Sequence, residues 1–100
     1  MSAHIQLDPD YVEEFCKRNQ IRKLALFGSV LTDRFRPDSD VDLLVEFEPD
    51  AHVSLFDIAR MEIELTEKLG RKADLRTAGD LSRYFRDEVV RTAEVQYSGG

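Results

Sequence analysis

The chain of 100 residues carries a single cysteine, Cys16. No intrachain disulfide can form, and a reducing, cytoplasmic setting is the expectation. Five glycines and three prolines are few, and 42% hydrophobic with 34% charged residues describes a folded soluble chain rather than a disordered one. No run approaches the ~20 apolar residues that a membrane span requires. The opening MSAHIQLDPDYVEE lacks the positive start and apolar segment of a secretory signal. Basic residues are outnumbered 14 to 20, for a net charge of -6. That argues against broad binding to nucleic acid, which relies on a positive surface. A local phosphate site stays open, because a bound divalent metal can supply the positive charge.

This length is that of one domain, expected over residues 1–100 with a flexible tail from about residue 96. Asp8-Pro9 reads as a helix start, and Tyr11, Val12, Phe15 and Cys16 give that helix an apolar stripe. A strand over Lys23–Phe27 ends at Gly28, and Ser29 caps a short helix reaching about Arg34. Val41–Phe47 is the clearest strand. Ser54 and Asp57 form a capping box for a helix that runs to Leu69 and stops at Gly70, with Leu55, Ile58, Met61, Leu65 and Leu69 at helical spacing. Lys72–Thr77 reads as a short strand, and Leu81, Tyr84, Phe85, Val89 and Ala93 mark a last helix. The expectation is an α/β domain (α+β by some schemes): a small mixed sheet of three strands with helices on one face, the other face left for a site.

Asp40 and Asp42 sit two residues apart, so in a strand both project to one side, away from Val41, Leu43 and Val45. Like charges this close need a shared proton, a cationic partner or a hard divalent ion. Mg²⁺ is commonly held by one or two carboxylates plus substrate phosphates. Gly28-Ser29 supplies a matching phosphate cradle: glycine lets backbone approach closely, and serine adds a small hydroxyl donor. Together these parts suit a nucleoside triphosphate. Asp74, alone in a short apolar strand, would be costly if buried without a partner. A place beside the first two carboxylates would explain it.

The stretch GSVLTDRFRPDSDVD, with LALFGS before it and GRKADLRT after it, resembles the polymerase-beta-like nucleotidyltransferase superfamily. More narrowly, most of the chain is similar to the minimal nucleotidyltransferase (MNT) domain found as antitoxin in HEPN/MNT toxin–antitoxin pairs. The resemblance implies a nucleotidyltransferase-like fold. It implies that Gly28 and Ser29 position the triphosphate, and that Asp40, Asp42 and Asp74 are catalytic and metal-binding, with Mg²⁺ (one or two ions) and ATP as nucleotide donor. It further implies transfer of AMP to a tyrosine of a helical HEPN toxin, in a homo- or hetero-oligomer. Two other readings stand beside it: a binding module that neutralises its partner by occlusion, and a nucleotidyltransferase for a small molecule such as an antibiotic.

Structural explanations compete at each position. Asp42 could pair with Arg22 or Lys72, and Asp74 with Arg71 or Arg76. Asp40 could cap its turn, Gly28 could serve only the turn, and Ser29 only a cap. Arg34 and Arg36 could reach phosphates or face solvent. His4 and His52 lack metal-ligand spacing and read as ordinary surface or terminal residues. Met61 and Cys16 read as core, Leu81, Tyr84 and Phe85 as core with a partly exposed interface as the alternative, and Glu62, Glu64, Glu67 and Lys68 as the wet face of the long helix.

Overall fold

A computed structural model describes residues 5–99; His4 and Gly100 lie outside the described residues. Helix α1 (Pro9–Arg18) begins as its sequence demands. The Asp8 carboxylate accepts from the Asp10 N–H, and proline occupies the first helical position, where no N–H is needed. Strand β1 (Ile21–Phe27) follows, then a 3-10 turn over Gly28–Leu31, then β2 (Val41–Phe47). Helix α2 (Leu55–Leu69) has the expected reciprocal Ser54–Asp57 box and ends on Gly70 in the left-handed conformation (φ 71°). Strand β3 (Ala73–Arg76) leads through a 3-10 turn at Ala78–Asp80 to helix α3 (Arg86–Thr92) and strand β4 (Glu94–Ser98).

The sheet is mixed, in the order β3-β2-β1-β4. β1 pairs antiparallel with β2 and with β4, while β2 and β3 run parallel. The helix α2 makes the crossover that two parallel strands require. One face of the sheet carries the core: Leu24 and Leu26, Val41, Leu43 and Val45, Ala73 and Leu75. Against it pack Val12, Phe15 and Cys16 of α1 and Met61 and Leu65 of α2. Burial leaves the Cys16 thiol raised to about 12, an inert core side chain.

Four expectations need correction. Residues 96–99 are not a frayed tail, since Gln96–Ser98 complete β4 and the Gly99 N–H donates to the Arg22 carbonyl. A fourth strand therefore joins the three that were expected. Tyr84 and Phe85 are not core: they are 87% and 47% exposed, because the last helix begins only at Arg86. Glu62 and Glu64 do more than face water. Glu64 accepts from the Tyr11 hydroxyl at 2.7 Å and from Arg18 at 2.9 Å, tying α1 to α2. Glu62 accepts the Leu75 N–H at 2.8 Å, and the Thr66 hydroxyl accepts the Ala73 N–H at 3.0 Å. Strand β3 lies at the sheet edge, so these two side chains of α2 satisfy backbone donors that an edge otherwise leaves open.

Candidate active site

The face turned away from α1 and α2 gathers the residues that sequence reasoning singled out. Strand alternation places Phe27, Asp42 and Asp74 in one row, since Phe27 is the ladder partner of Asp42 and Asp42 that of Asp74. Adjacent strands lie about 4.8 Å apart, so the two carboxylates stand side by side on the same face. Asp40 is exposed, one residue before β2 begins, rather than within the strand. Its charge nevertheless reaches Asp42. Burial raises the Asp42 carboxyl above its ordinary range; Asp74 and then Asp40 raise it further, and Arg76 partly offsets them.

Gly28 closes this row from the end of β1. Its φ of 83° lies in the left-handed region that side chains disfavour. A Cβ built there would stand 2.6 Å from Asp42 Oδ2. The turn backbone and the half-buried carboxylate are therefore in direct contact, which only glycine permits. Ser29 follows, half-buried; its carbonyl accepts from the N–H of Thr32 at 2.9 Å.

The competing ion pairs do not form among the described residues. Arg22 pairs with Glu46. Arg71 donates to the carbonyls of Arg36 and Pro37 and lies over the Phe35 ring at 4.6 Å. Among the described residues, Asp42 and Asp74 make no ion pair with Arg22, Lys72, Arg71 or Arg76. Nor, among the described residues, do any three His, Cys, Asp or Glu side chains stand close enough together to hold a metal ion: Asp42 and Asp74 are neighbours, and Asp40 does not complete a three-carboxylate cluster with them. The carboxylates are an open arrangement of hard oxygens, which fits an ion that completes its shell with substrate phosphates and water.

Beside Gly28 and Ser29 opens a hollow of about 690 Å³. Phe27 and Leu31 line it from the sheet and turn, Thr32 and Arg34 from the following loop, and Phe85, Glu88, Val89, Thr92 and Glu94 from α3 and its flanks. Sequence reasoning left Arg34 undecided and did not connect the last group to the site. Those residues lie more than fifty positions from Gly28, and no spacing rule links them. The one usable signal was Phe85 itself, an aromatic in a segment too polar to be wholly buried.

The chain has relatives of the same description. Residues 9–96 match the model of the nucleotidyltransferase domain. A candidate protein adenylyltransferase of Methanocaldococcus jannaschii is 30% identical over 76 residues, covering 76% of this chain and 80% of the relative. The protein adenylyltransferase MntA of Thermococcus cleftensis is 34% identical over 85 residues, covering 85% and 82%. Two solved structures share the fold: a toxin–antitoxin complex with AMP-PNP (TM-score 0.72, 18% identity, 92% of this chain and 74% of that one), and a tri-AMPylated Shewanella oneidensis HEPN toxin with its MNT antitoxin (0.64, 17%, 90% and 69%). With the family model spanning nearly all of the sequence, this chain belongs to the nucleotidyltransferase domain family.

Proposed function

We propose that this chain is a protein adenylyltransferase that moves AMP from ATP to a tyrosine hydroxyl of a HEPN-type helical toxin, and so acts as its antitoxin. One observation carries the reading: Asp42 and Asp74 are register partners on an open face, with Asp42 in contact with the Gly28 turn. Two carboxylates that form no ion pair among the described residues stand together, and one of them abuts a turn able to bring backbone N–H groups close to phosphate. The names of the archaeal relatives point to the same chemistry.

In this reading Gly28 and Ser29 hold the triphosphate, Ser29 through its hydroxyl and both through backbone. Asp40, Asp42 and Asp74 would hold Mg²⁺, which when bound offsets charge on the phosphate oxygens. Asp74 lies on the edge strand, where an incoming hydroxyl can approach it. Its carboxylate orients that hydroxyl and takes the proton. The tyrosine oxygen then bonds to the α-phosphorus, the bond from that phosphorus to the bridging oxygen breaks, and pyrophosphate leaves with the electron pair. Positioning and charge stabilisation are the main contributions the protein has to make.

The test is intact-mass spectrometry of the helical partner after incubation with this protein, ATP and Mg²⁺. One or more AMP increments are expected. They should vanish with Asp42→Asn while the two proteins still co-elute. A partner of unchanged mass, in a complex that forms, overturns transfer and leaves occlusion.

A further inference from the structure

We infer that this chain is also its own acceptor: one copy transfers AMP to the Tyr84 hydroxyl of a second copy. The inference rests on the nucleotidyl-transfer reading and adds a second substrate to it. The chain has three tyrosines, and the fold treats them differently. The Tyr11 hydroxyl donates to Glu64 at 2.7 Å, and burial together with Glu64 holds its proton well above the ordinary tyrosine range. The Tyr97 ring packs on the core, with its hydroxyl against the Gly99 backbone. Tyr84 is 87% exposed, and among the described residues no hydrogen bond engages its hydroxyl. A phenol attacks phosphorus only where its oxygen is reachable and its proton can leave, and of the three Tyr84 meets both conditions.

Position adds to exposure. Tyr84 lies on the segment between the Ala78–Asp80 turn and α3, next to Phe85, which lines the hollow beside Gly28 and Ser29. Phe85 is half-buried while Tyr84 is turned to water, so the phenol stands at the rim of its own site and is offered outward, to the site of another copy. The Arg83 guanidinium lies 5.5 Å from the centroid of the Tyr84 ring. In a chain of net charge -6 it sets a cation beside the oxygen that an anionic triphosphate must approach. In the step, the Tyr84 oxygen bonds to the α-phosphorus of ATP held by the other copy, and the phenolic proton passes to the Asp74 carboxylate of that copy. The bond from the α-phosphorus to the bridging oxygen breaks, and pyrophosphate leaves with the electron pair. The phosphodiester left on Tyr84 is anionic, and Arg83 stands where it can pair with it.

The experiment incubates the protein with ATP and Mg²⁺, without the helical partner, and reads its intact mass and the modified peptide. An AMP increment on Tyr84 is expected. Doubling the protein concentration should make the modified fraction grow about twice as fast, as a reaction between two copies requires. Wild type should also load Tyr84 of an Asp42→Asn copy, told apart by an affinity tag. Tyr84→Phe should stay bare yet modify the helical partner at an unchanged rate. An increment that Tyr84→Phe retains overturns the inference. So does a modified fraction that grows independently of concentration, or an Asp42→Asn copy that stays bare. The two readings fail separately. A modified partner beside a bare Tyr84 removes self-transfer and keeps the toxin as acceptor. AMP on Tyr84 beside an unmodified partner does the reverse.

Discussion

Asp42 is placed where its charge is useful and costly at once. Its carboxyl titrates above the ordinary range because burial, then Asp74, then Asp40 penalise the charged form. The folded chain thus holds that proton to a higher pH than the unfolded chain does. Below the unfolded value both are protonated and the site carries no charge penalty. As pH rises through the raised folded value stability is lost, and above it the penalty is complete. In metal-free buffer, Asp42→Asn should therefore melt a few degrees higher than the wild type at neutral pH, with the gap closing on acidification. A gap that widens in acid would contradict this account. The same variant is the one expected to abolish transfer, a trade of activity against stability at one atom. Gly28 meets that atom from the other side. Gly28→Ala should destabilise the fold by about 1–2 kcal/mol through its left-handed backbone alone, and displace Asp42 besides. Denaturant titration gives the first quantity, and loss of AMP transfer reports the second.

At the scale of elements, β2 and α2 were legible because each follows a single period. Val41, Leu43 and Val45 alternate against Asp42 and Leu44, and Met61 and Leu65 repeat one helical turn apart. Strand β4 was not legible. Leu24 pairs with Tyr97 but Ala25 pairs with Val95, so Gln96 is an extra residue in a bulge. Tyr97 consequently packs on the core while Val95 is 48% exposed, and the period of two that would have announced a strand is broken. The Glu62 bond to β3 was hidden for another reason. A charged residue at a helical surface position reads as solvent-facing unless the neighbouring edge strand is known. Glu62→Ala should cost about 1–2 kcal/mol, because it strips the Leu75 N–H of a charged acceptor. A thermal melt should show the loss, and Glu62→Gln should recover most of it. Amide exchange at Leu75 should quicken in the alanine variant alone.

Over the whole molecule, the candidate site was legible in outline and incomplete in extent. Gly28, Asp42 and Asp74 belong to three different strands or their ends, yet the topology brings them into one row, as the spacing of charges in apolar strands suggested. The α3 wall of the hollow could not be read, because it depends on where β4 returns beside β1. The row also imposes an arithmetic on the chain. Only Gly70, Arg71 and Lys72 separate α2 from β3, and the Lys72 carbonyl accepts the Val41 N–H at 2.8 Å. With α2 packed and its Glu62 and Thr66 contacts in place, one added residue in that connector would reverse the facing of every side chain in β3. Asp74 would turn into the core, and either Ala73 or Leu75 would take its place beside Asp42. Two added residues would restore the facing but move the strand off its α2 contacts. The connector thus works as a parity rule: an odd change in its length removes the third carboxylate without altering a single residue of the site.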